Sequence, residues 1–187
     1  MILGLDVSTS TVGWAIVKDD GCLVSMGNVC LSKYATLWDK ADALESSLCD
    51  IQNDLLSSFE LLITDVYIEE SLLRFTPGQS SAATITTLSK FNALASYVAR
   101  RVFVVEPAHV SAGTARKTCG MKIQRTSVCG KTGKQQAFDW CITGPLKDVS
   151  TSFPRTRTGK FKPFVFDRVD AYVVASAGCI MNREVSK

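Results

Sequence analysis

Acidic residues stand at the ends of apolar segments at three places far apart in the sequence. Asp6 closes the first apolar run, Glu69 and Glu70 close a later one, and Asp167 and Asp170 begin a predicted helix on one shared face. Buried carboxylates are costly without a partner, so acids that meet in one pocket need a cation to offset their repulsion. Oxygen ligands predict Mg²⁺ or Mn²⁺, and two such ions about 4 Å apart would clamp the attacking and leaving oxygens of a phosphodiester.

Each part of this acidic set has an alternative interpretation. The alternative role of Asp167 is to stabilise the first turn of its helix, because the helix macrodipole favours an acid there. The sequence does not decide whether Glu69 or Glu70 points into the pocket.

A zinc site built from Cys119, Cys129 and His109 is a further hypothesis, although their spacing matches no common zinc motif.

Charge divides the chain into two unlike halves. Residues 1–99 contain 5 basic and 12 acidic residues, a net charge of −7, whereas residues 100–187 contain 16 basic and 6 acidic residues, a net charge of +10. The stretch 111–134 holds six basic residues and no acid, with interleaved glycines that favour loops over a basic helix. Such clusters suit a polyanion such as a phosphate backbone, and a solvated basic loop without a ligand is the alternative.

The elements that position these residues follow from hydrophobic periodicity. Three short apolar runs near the N-terminus predict an antiparallel meander, and the later runs predict alternating strands and helices. Together they predict a mixed central sheet with helices on both faces. The predicted strands are 2–7, 12–18, 22–30, 61–68 and 102–105, and the predicted helices are 37–56, 80–99, 134–142 and 166–181.

Length and composition limit the class of protein. The 187 residues predict a single domain spanning 1–187, and 46% hydrophobic with 21% charged residues is ordinary for a soluble fold. The apolar runs are too short to cross a membrane, and the first residues do not resemble a signal peptide. Seven cysteines without a Cys-x-x-Cys pair suggest a reduced, intracellular protein, and we expect a cytoplasmic location in a bacterium or a virus-infected host cell.

Five segments resemble RuvC-type Holliday junction resolvases of the ribonuclease H-like superfamily. The opening 2–15, ILGLDVSTSTVGWA, is similar to the family's first two strands, and 67–70, YIEE, to its Ile-Glu-Gln. The segment 167–171, DRVDA, matches the family's closing Asp-x-x-Asp-Ala. Two further resemblances are those of 106–110 to the family's strand-to-helix junction and of 133–137 to its lysine-containing region before the last helices. The resemblance implies a ribonuclease H-like α/β fold with a five-stranded mixed sheet, whose first three strands are antiparallel, and a homodimer that nicks branched DNA.

The resemblance also implies roles for individual residues. Asp6, Glu69, Asp167 and Asp170 would ligate two Mg²⁺ ions, with Mn²⁺ as a substitute, and Lys134 would stand near the scissile phosphate. A wedge role against the bases at the junction is a hypothesis for Phe75. The residues expected to bind DNA phosphates are Arg116, Lys117, Lys122, Arg125 and Lys131.

Departures from the family pattern broaden the expected substrate. The family's glycine two residues after the first aspartate is Ser8 here, and the basic insertion at about 111–133 is longer than the bacterial segment. These features suggest a phage or other viral relative, acting in DNA recombination and repair on four-way junctions and on forks and flaps.

Other functions remain open from the sequence. A ribonuclease H-like nuclease acting on RNA–DNA hybrid or rRNA would use the same acids. A non-catalytic nucleic-acid-binding module would keep the fold but has no use for clustered carboxylates. The first motif also resembles that of sugar kinases and actin-like ATPases, which need two such domains and a glycine-rich adenosine motif that is not found here.

Overall fold

A mixed five-stranded sheet forms the centre of the computed structural model, which describes residues 1–71 and 81–185. The strand order is β3-β2-β1-β4-β5. The first three strands are antiparallel, β4 runs parallel to β1, and β5 runs parallel to β4, as the sequence predicts for a mixed sheet. The strands are β1 (Ile2–Val7), β2 (Thr11–Val17), β3 (Leu23–Cys30), β4 (Asp65–Glu69) and β5 (Ala108–Val110).

Helices cover both faces of the sheet, and each face has its own hydrophobic cluster. Leu3 and Leu5 of β1 point into the cluster formed with the first two helices, whereas Ile2 points to the face covered by the last helix. This alternation follows from the two-residue period of a strand. The helices are α1 (Leu37–Phe59), α2 (Ala82–Phe103), α3 (Ala112–Thr118), α4 (Thr126–Cys129), α5 (Gly133–Thr143), α6 (Lys147–Ser150) and α7 (Pro163–Val185).

Helix starts coincide with hydroxyl residues that satisfy free backbone N–H groups. Thr36 forms a capping box with Asp39 at the start of α1. Ser81 accepts a hydrogen bond from Thr84 N at the start of α2. Thr132 forms a second capping box at the start of α5. These caps explain why the predicted and observed starts of α1 and α5 agree to within one residue.

The strand predicted at 102–105 is wrong, and the preference for loops over a helix within 111–134 is wrong where two short helices form. Val98, Ala99 and Phe103 continue one buried helical face, so α2 extends to Phe103, and the fifth strand starts later, at Ala108. Within the basic stretch, Ser111 caps the short helix α3, whose buried Ala115 packs into the cluster around α7. Strand β4 also begins four residues later than predicted, at Asp65.

Candidate active site

Asp6 and Glu69 lie side by side at the carboxyl ends of two neighbouring parallel strands. Leu5 of β1 pairs in register with Ile68 of β4, so the next residue of each strand is one of the two acids. Ile2 of β1 and Tyr67 of β4 belong to the hydrophobic cluster around α7. Because side chains alternate along a strand, Asp6 and Glu69 point to the same α7 face.

Helix α7 contributes the other two acids because it lies directly on the sheet. A Cβ on Gly13 would come closer than 3.0 Å to the carbonyl group of Asp167, and a Cβ on Gly4 would collide in the same way with the backbone of Ala171. Only glycine at these two strand positions allows such a close approach. Asp167 is therefore held above β2, and Asp170, one turn later, is almost fully buried.

Lys134 places its ammonium group among three of these carboxylates. Its Nζ lies 2.9 Å from Asp167 Oδ1, 2.9 Å from Asp170 Oδ2 and 3.7 Å from Asp6 Oδ2. Lys134 belongs to the first turn of α5, which is fixed by the capping box of Thr132. The three acids from β1 and α7 thus meet at one shared cation, supplied by the chain itself.

Arg116 of α3 brings a second positive charge to the same cluster. Its Nη2 lies 3.5 Å from Asp170 Oδ1, and its side chain is only 17% exposed. A Cβ on Gly133 would stand 3.2 Å from Arg116 Nη1, so the start of α5 also packs against this guanidinium. The contact of Arg116 with DNA phosphates stays a prediction, and in this structure its charge faces Asp170.

Burial and mutual repulsion act together on the two strand acids. Burial raises the pKa of Asp6 well above its ordinary value, and the charge of Glu69 adds to the rise, whereas Lys134 opposes it. Burial, with a further contribution from Asp170, raises the pKa of Glu69 to about 7, with Arg116 and Lys134 opposing it. The two cations therefore do not offset the combined effect of burial and like charge on these two acids.

The pKa of Lys134 also responds to the carboxylates around it. Burial alone would lower this pKa, but the charges of Asp170 and Asp6 more than compensate and raise it above its ordinary value. Lys134 therefore stays protonated across the physiological pH range. In this arrangement it acts as a positive charge beside the carboxylates.

Glu69 and Glu70 have different surroundings. Glu69 ends β4 on the α7 face, whereas Glu70 is exposed and its N–H donates to Val110 O over 2.9 Å. The buried amide of Asn92, from α2, donates to Glu69 O over 3.0 Å and fixes the end of the strand. Sequence analysis missed Asn92, whose only signal is a single amide on the otherwise apolar face of a helix.

The donor set fits a hard divalent cation, although its geometry is not that of a finished metal site. All four acids offer carboxylate oxygens, which Mg²⁺ and Mn²⁺ prefer, and no soft ligand is among them. Across residues 1–71 and 81–185, however, no group of three or more His, Cys, Asp or Glu side chains is arranged to hold a metal ion. The position of Lys134 gives the physical reason, because its ammonium occupies the space between the carboxylates.

The remaining predicted site residues lie outside this cluster. Lys117, Lys122 and Arg125 are exposed on and after α3. Lys131 is exposed but paired, with its Nζ 2.6 Å from Asp139 Oδ2. Phe75 falls outside the described residues.

The zinc hypothesis gains no support from the three residues that it names. The ring of His109 bonds to Ser96 Oγ at 3.0 Å, and Cys119 Sγ donates to Val173 O over 3.6 Å. Cys129 Sγ lies near backbone carbonyls instead of the other two side chains. All seven cysteines are free thiols.

The sheet order, the helices on both faces and the acids at the ends of β1, β4 and α7 define the ribonuclease H-like class of α/β folds. This confirms the fold predicted from the sequence. In the described part of the chain, no helix is both long and apolar enough to cross a membrane.

Two resolvases of known structure share this fold with the chain. RuvC of Thermus thermophilus is similar with a TM-score of 0.63 and 14% identity, over 98% of this chain and 96% of that one. The structure of T. thermophilus RuvC in complex with a Holliday junction substrate gives 0.60 and 12%, over 98% and 94%. The yeast mitochondrial Holliday junction resolvase Ydc2 gives 0.51 and 15%, over 99% and 80%. No family model and no curated protein sequence matches the chain.

Proposed function

We propose that this protein is a metal-dependent endodeoxyribonuclease that resolves Holliday junctions and other branched DNA. The observation that carries the proposal is the convergence of Asp6, Asp167 and Asp170 on one cation, beside Glu69. A cluster of buried acids is costly to keep, and binding of phosphates alone would not require it. The likeness to RuvC, including the structure solved with a Holliday junction, supports branched DNA as the substrate.

Asp6, Glu69, Asp167 and Asp170 would hold two Mg²⁺ ions, or Mn²⁺ in their place. The chemistry supplied by such ions would be activation of water for in-line attack on phosphorus and neutralisation of charge at the departing 3′ oxygen. The side chains themselves have three tasks. Asp6 and Glu69, at the ends of their strands, hold one side of the metal site. Asp167 and Asp170 hold the side that faces α7. The ammonium of Lys134 moves from the carboxylates to the scissile phosphate, where it offsets the developing negative charge.

Resolution of a four-way junction requires two coordinated cuts, so we propose a homodimer. Helix α2 buries Phe91 and Ala95 against its own sheet, which leaves its opposite face available. Trp38 of α1, which lines a groove with Leu94 of α2, is 70% exposed, and Tyr97 of α2 is 56% exposed, which is unusual for large aromatic residues. We propose that this exposed face of α1 and α2 contacts a second copy of the chain.

A non-catalytic module is the second candidate, because Lys134 fills the space between the acids and no metal site is preassembled among the described residues. In that case the protein would bind branched DNA without cutting it. A ribonuclease H-like activity on RNA–DNA hybrid would use the same acids. A comparison of cleavage of the hybrid with cleavage of branched DNA distinguishes the two activities.

The deciding experiment compares three end-labelled substrates of matched sequence: a synthetic four-way junction, a linear duplex and an RNA–DNA hybrid. Each is incubated with the protein in Mg²⁺ or in EDTA. We expect Mg²⁺-dependent nicks in the junction and none in the linear duplex. Preferential cutting of the hybrid would contradict the proposal, and binding of the junction without any cut would favour the non-catalytic module.

A further inference from the structure

A hairpin at residues 154–162, here named the basic hairpin, precedes α7. The N–H of Lys162 donates to Pro154 O over 3.0 Å, and the N–H of Thr156 donates to Lys160 O over 2.7 Å. These two bonds join the arms of the hairpin in antiparallel fashion. The segment is therefore a defined projection from the surface, although it contains no regular strand.

Arg155 stiffens the hairpin from within. It pairs with Phe161 as an antiparallel bridge, and its guanidinium carbon lies 3.9 Å from the centre of the Phe161 ring. Its Nη1 donates to Gly159 O over 2.9 Å. Gly159 has a φ of 79°, a conformation that glycine adopts without strain and that closes the turn. The charge of Arg155 is thus used to hold the loop in shape.

Aromatic packing fixes the base of the basic hairpin beside the acid cluster. The Phe161 ring lies 5.1 Å from Phe138, and Phe138 stacks on Phe166 with ring centroids 4.2 Å apart. Phe138 follows Lys134 by one turn of α5, and Phe166 directly precedes Asp167. The hairpin is therefore attached to the two helices that carry Lys134, Asp167 and Asp170.

The tip of the basic hairpin carries positive charge that the protein itself does not use. No Asp or Glu occurs between positions 149 and 166 of the sequence. Arg157 and Lys160 are exposed, and neither forms an ion pair with any acid in the described part of the chain. Lys131, by contrast, is held by Asp139. Lys160 also lines a groove with Gln135 of the first turn of α5.

We propose that the basic hairpin is a phosphate clamp for the duplex next to the scissile phosphate, with Arg157 and Lys160 as its contacts. It rests on the proposed function and adds a binding element to it. The contact is to the backbone, so it is independent of base sequence. The fixed base keeps these charges at a constant place relative to Lys134, which lowers the ordering cost of binding.

The test measures binding of the wild type and of the double variant Arg157→Ala/Lys160→Ala to a four-way DNA junction in EDTA over a range of salt concentrations. Each phosphate contact contributes about 0.9 to the slope of log affinity against log salt concentration. We expect the slope of the double variant to fall by roughly 1 to 2 and its affinity to fall several-fold. The melting temperature should not change, because both side chains are exposed.

Lys18→Ala is the matched control. Lys18 is also exposed, but it follows Val17, which pairs with Ile2 at the end of β1 remote from Asp6. This control should keep the wild-type slope. An unchanged slope in the double variant, with a wild type that binds, would overturn the hairpin proposal alone. A wild type that neither binds nor cuts the junction would overturn the proposed function as well.

Discussion

The ammonium Nζ of Lys134 lies 2.9 Å from Oδ2 of Asp170, whose side chain is only 6% exposed. Burial of such a carboxylate without a counter-charge would be strongly unfavourable. Lys134 therefore has a structural task in the metal-free protein, in addition to the catalytic task proposed for it. The same ammonium would have to move when a divalent cation binds.

Replacing Lys134 by methionine should lower the free energy of unfolding of the metal-free protein by about 1–3 kcal/mol, because buried carboxylates lose a charged hydrogen-bond donor. The lower part of this range is expected, since the lysine side chain is 43% exposed. Mg²⁺ should then raise the melting temperature of the variant more than that of the wild type, because no ammonium has to be displaced. Thermal unfolding with and without Mg²⁺ measures both effects.

Lys131→Met is the control for that measurement. Its partner Asp139 lies on the surface, and the two side chains are 58% and 44% exposed, so the loss should be within about 1 kcal/mol. Equal responses to Mg²⁺ in Lys134→Met and the wild type would argue against competition between the lysine and a metal.

The raised pKa of Glu69, about 7 instead of 4.5, predicts a pH dependence of stability. The folded protein binds this proton more tightly than the unfolded chain, so the group stabilises the fold at low pH and loses that contribution as the pH rises from about 4.5 through about 7. The free energy of unfolding in EDTA should therefore decrease over that interval. Urea unfolding at several pH values measures it.

Glu69→Gln should flatten this decrease, both by removing one titrating group and by removing its repulsion of Asp6. Glu70→Gln is the control, because Glu70 is exposed outside the cluster, and it should keep the wild-type profile. If both variants keep the wild-type slope of the free energy of unfolding against pH, the pKa of Glu69 is not raised in the folded protein.

Gly13→Ala should separate α7 from the sheet. The new Cβ would overlap the carbonyl group of Asp167, so we expect a loss of about 1–3 kcal/mol in stability and a loss of cleavage from displacement of the acids. Gly113→Ala is the control, since its Cβ meets nothing closer than Ser111 Oγ at 4.0 Å. As a helical position, it should gain up to about 1 kcal/mol. Cleavage by Gly13→Ala at the wild-type rate would show that α7 tolerates the shift.

Arg116→Ala and Lys117→Ala distinguish an interior charge from a surface charge on the same helix. Loss of the Arg116 partner of Asp170 should cost about 1–3 kcal/mol in the free energy of unfolding. Loss of exposed Lys117 should leave stability within about 0.5 kcal/mol and should only reduce the salt dependence of DNA binding. Chemical unfolding and binding titrations together test the pair, and equal stability of the two variants would contradict the assignment.

The sequence was sufficient for those parts of the fold that local patterns specify. The short apolar run that starts at Ile2 defines β1, and the cap at Thr132 defines the start of α5 and hence the place of Lys134. The placement of Asp6 beside Glu69 depends on β1 and β4 being neighbours, which periodicity does not predict; the resemblance to resolvases implied only that the two acids share a site.

Long-range contacts account for what the sequence did not predict. Periodicity could not show that α3 turns Arg116 inward, because that depends on how a seven-residue helix packs against α7. Asn92 acts on Glu69 from 23 residues away. The run 102–105 is apolar and β-branched enough for a strand, yet Phe103 continues the buried face of α2.

If the acid cluster cuts DNA, the single change Asp6→Asn should abolish cleavage. The amide has nearly the shape of the carboxylate but lacks its charge, so the fold and the basic surface should remain. Junction binding in EDTA and junction nicking in Mg²⁺ are measured on the same preparations of the wild type and the variant. We predict that Asp6→Asn binds with nearly the wild-type affinity and does not nick, whereas nicking at the wild-type rate by Asp6→Asn would show that the acid cluster is not the site of cleavage.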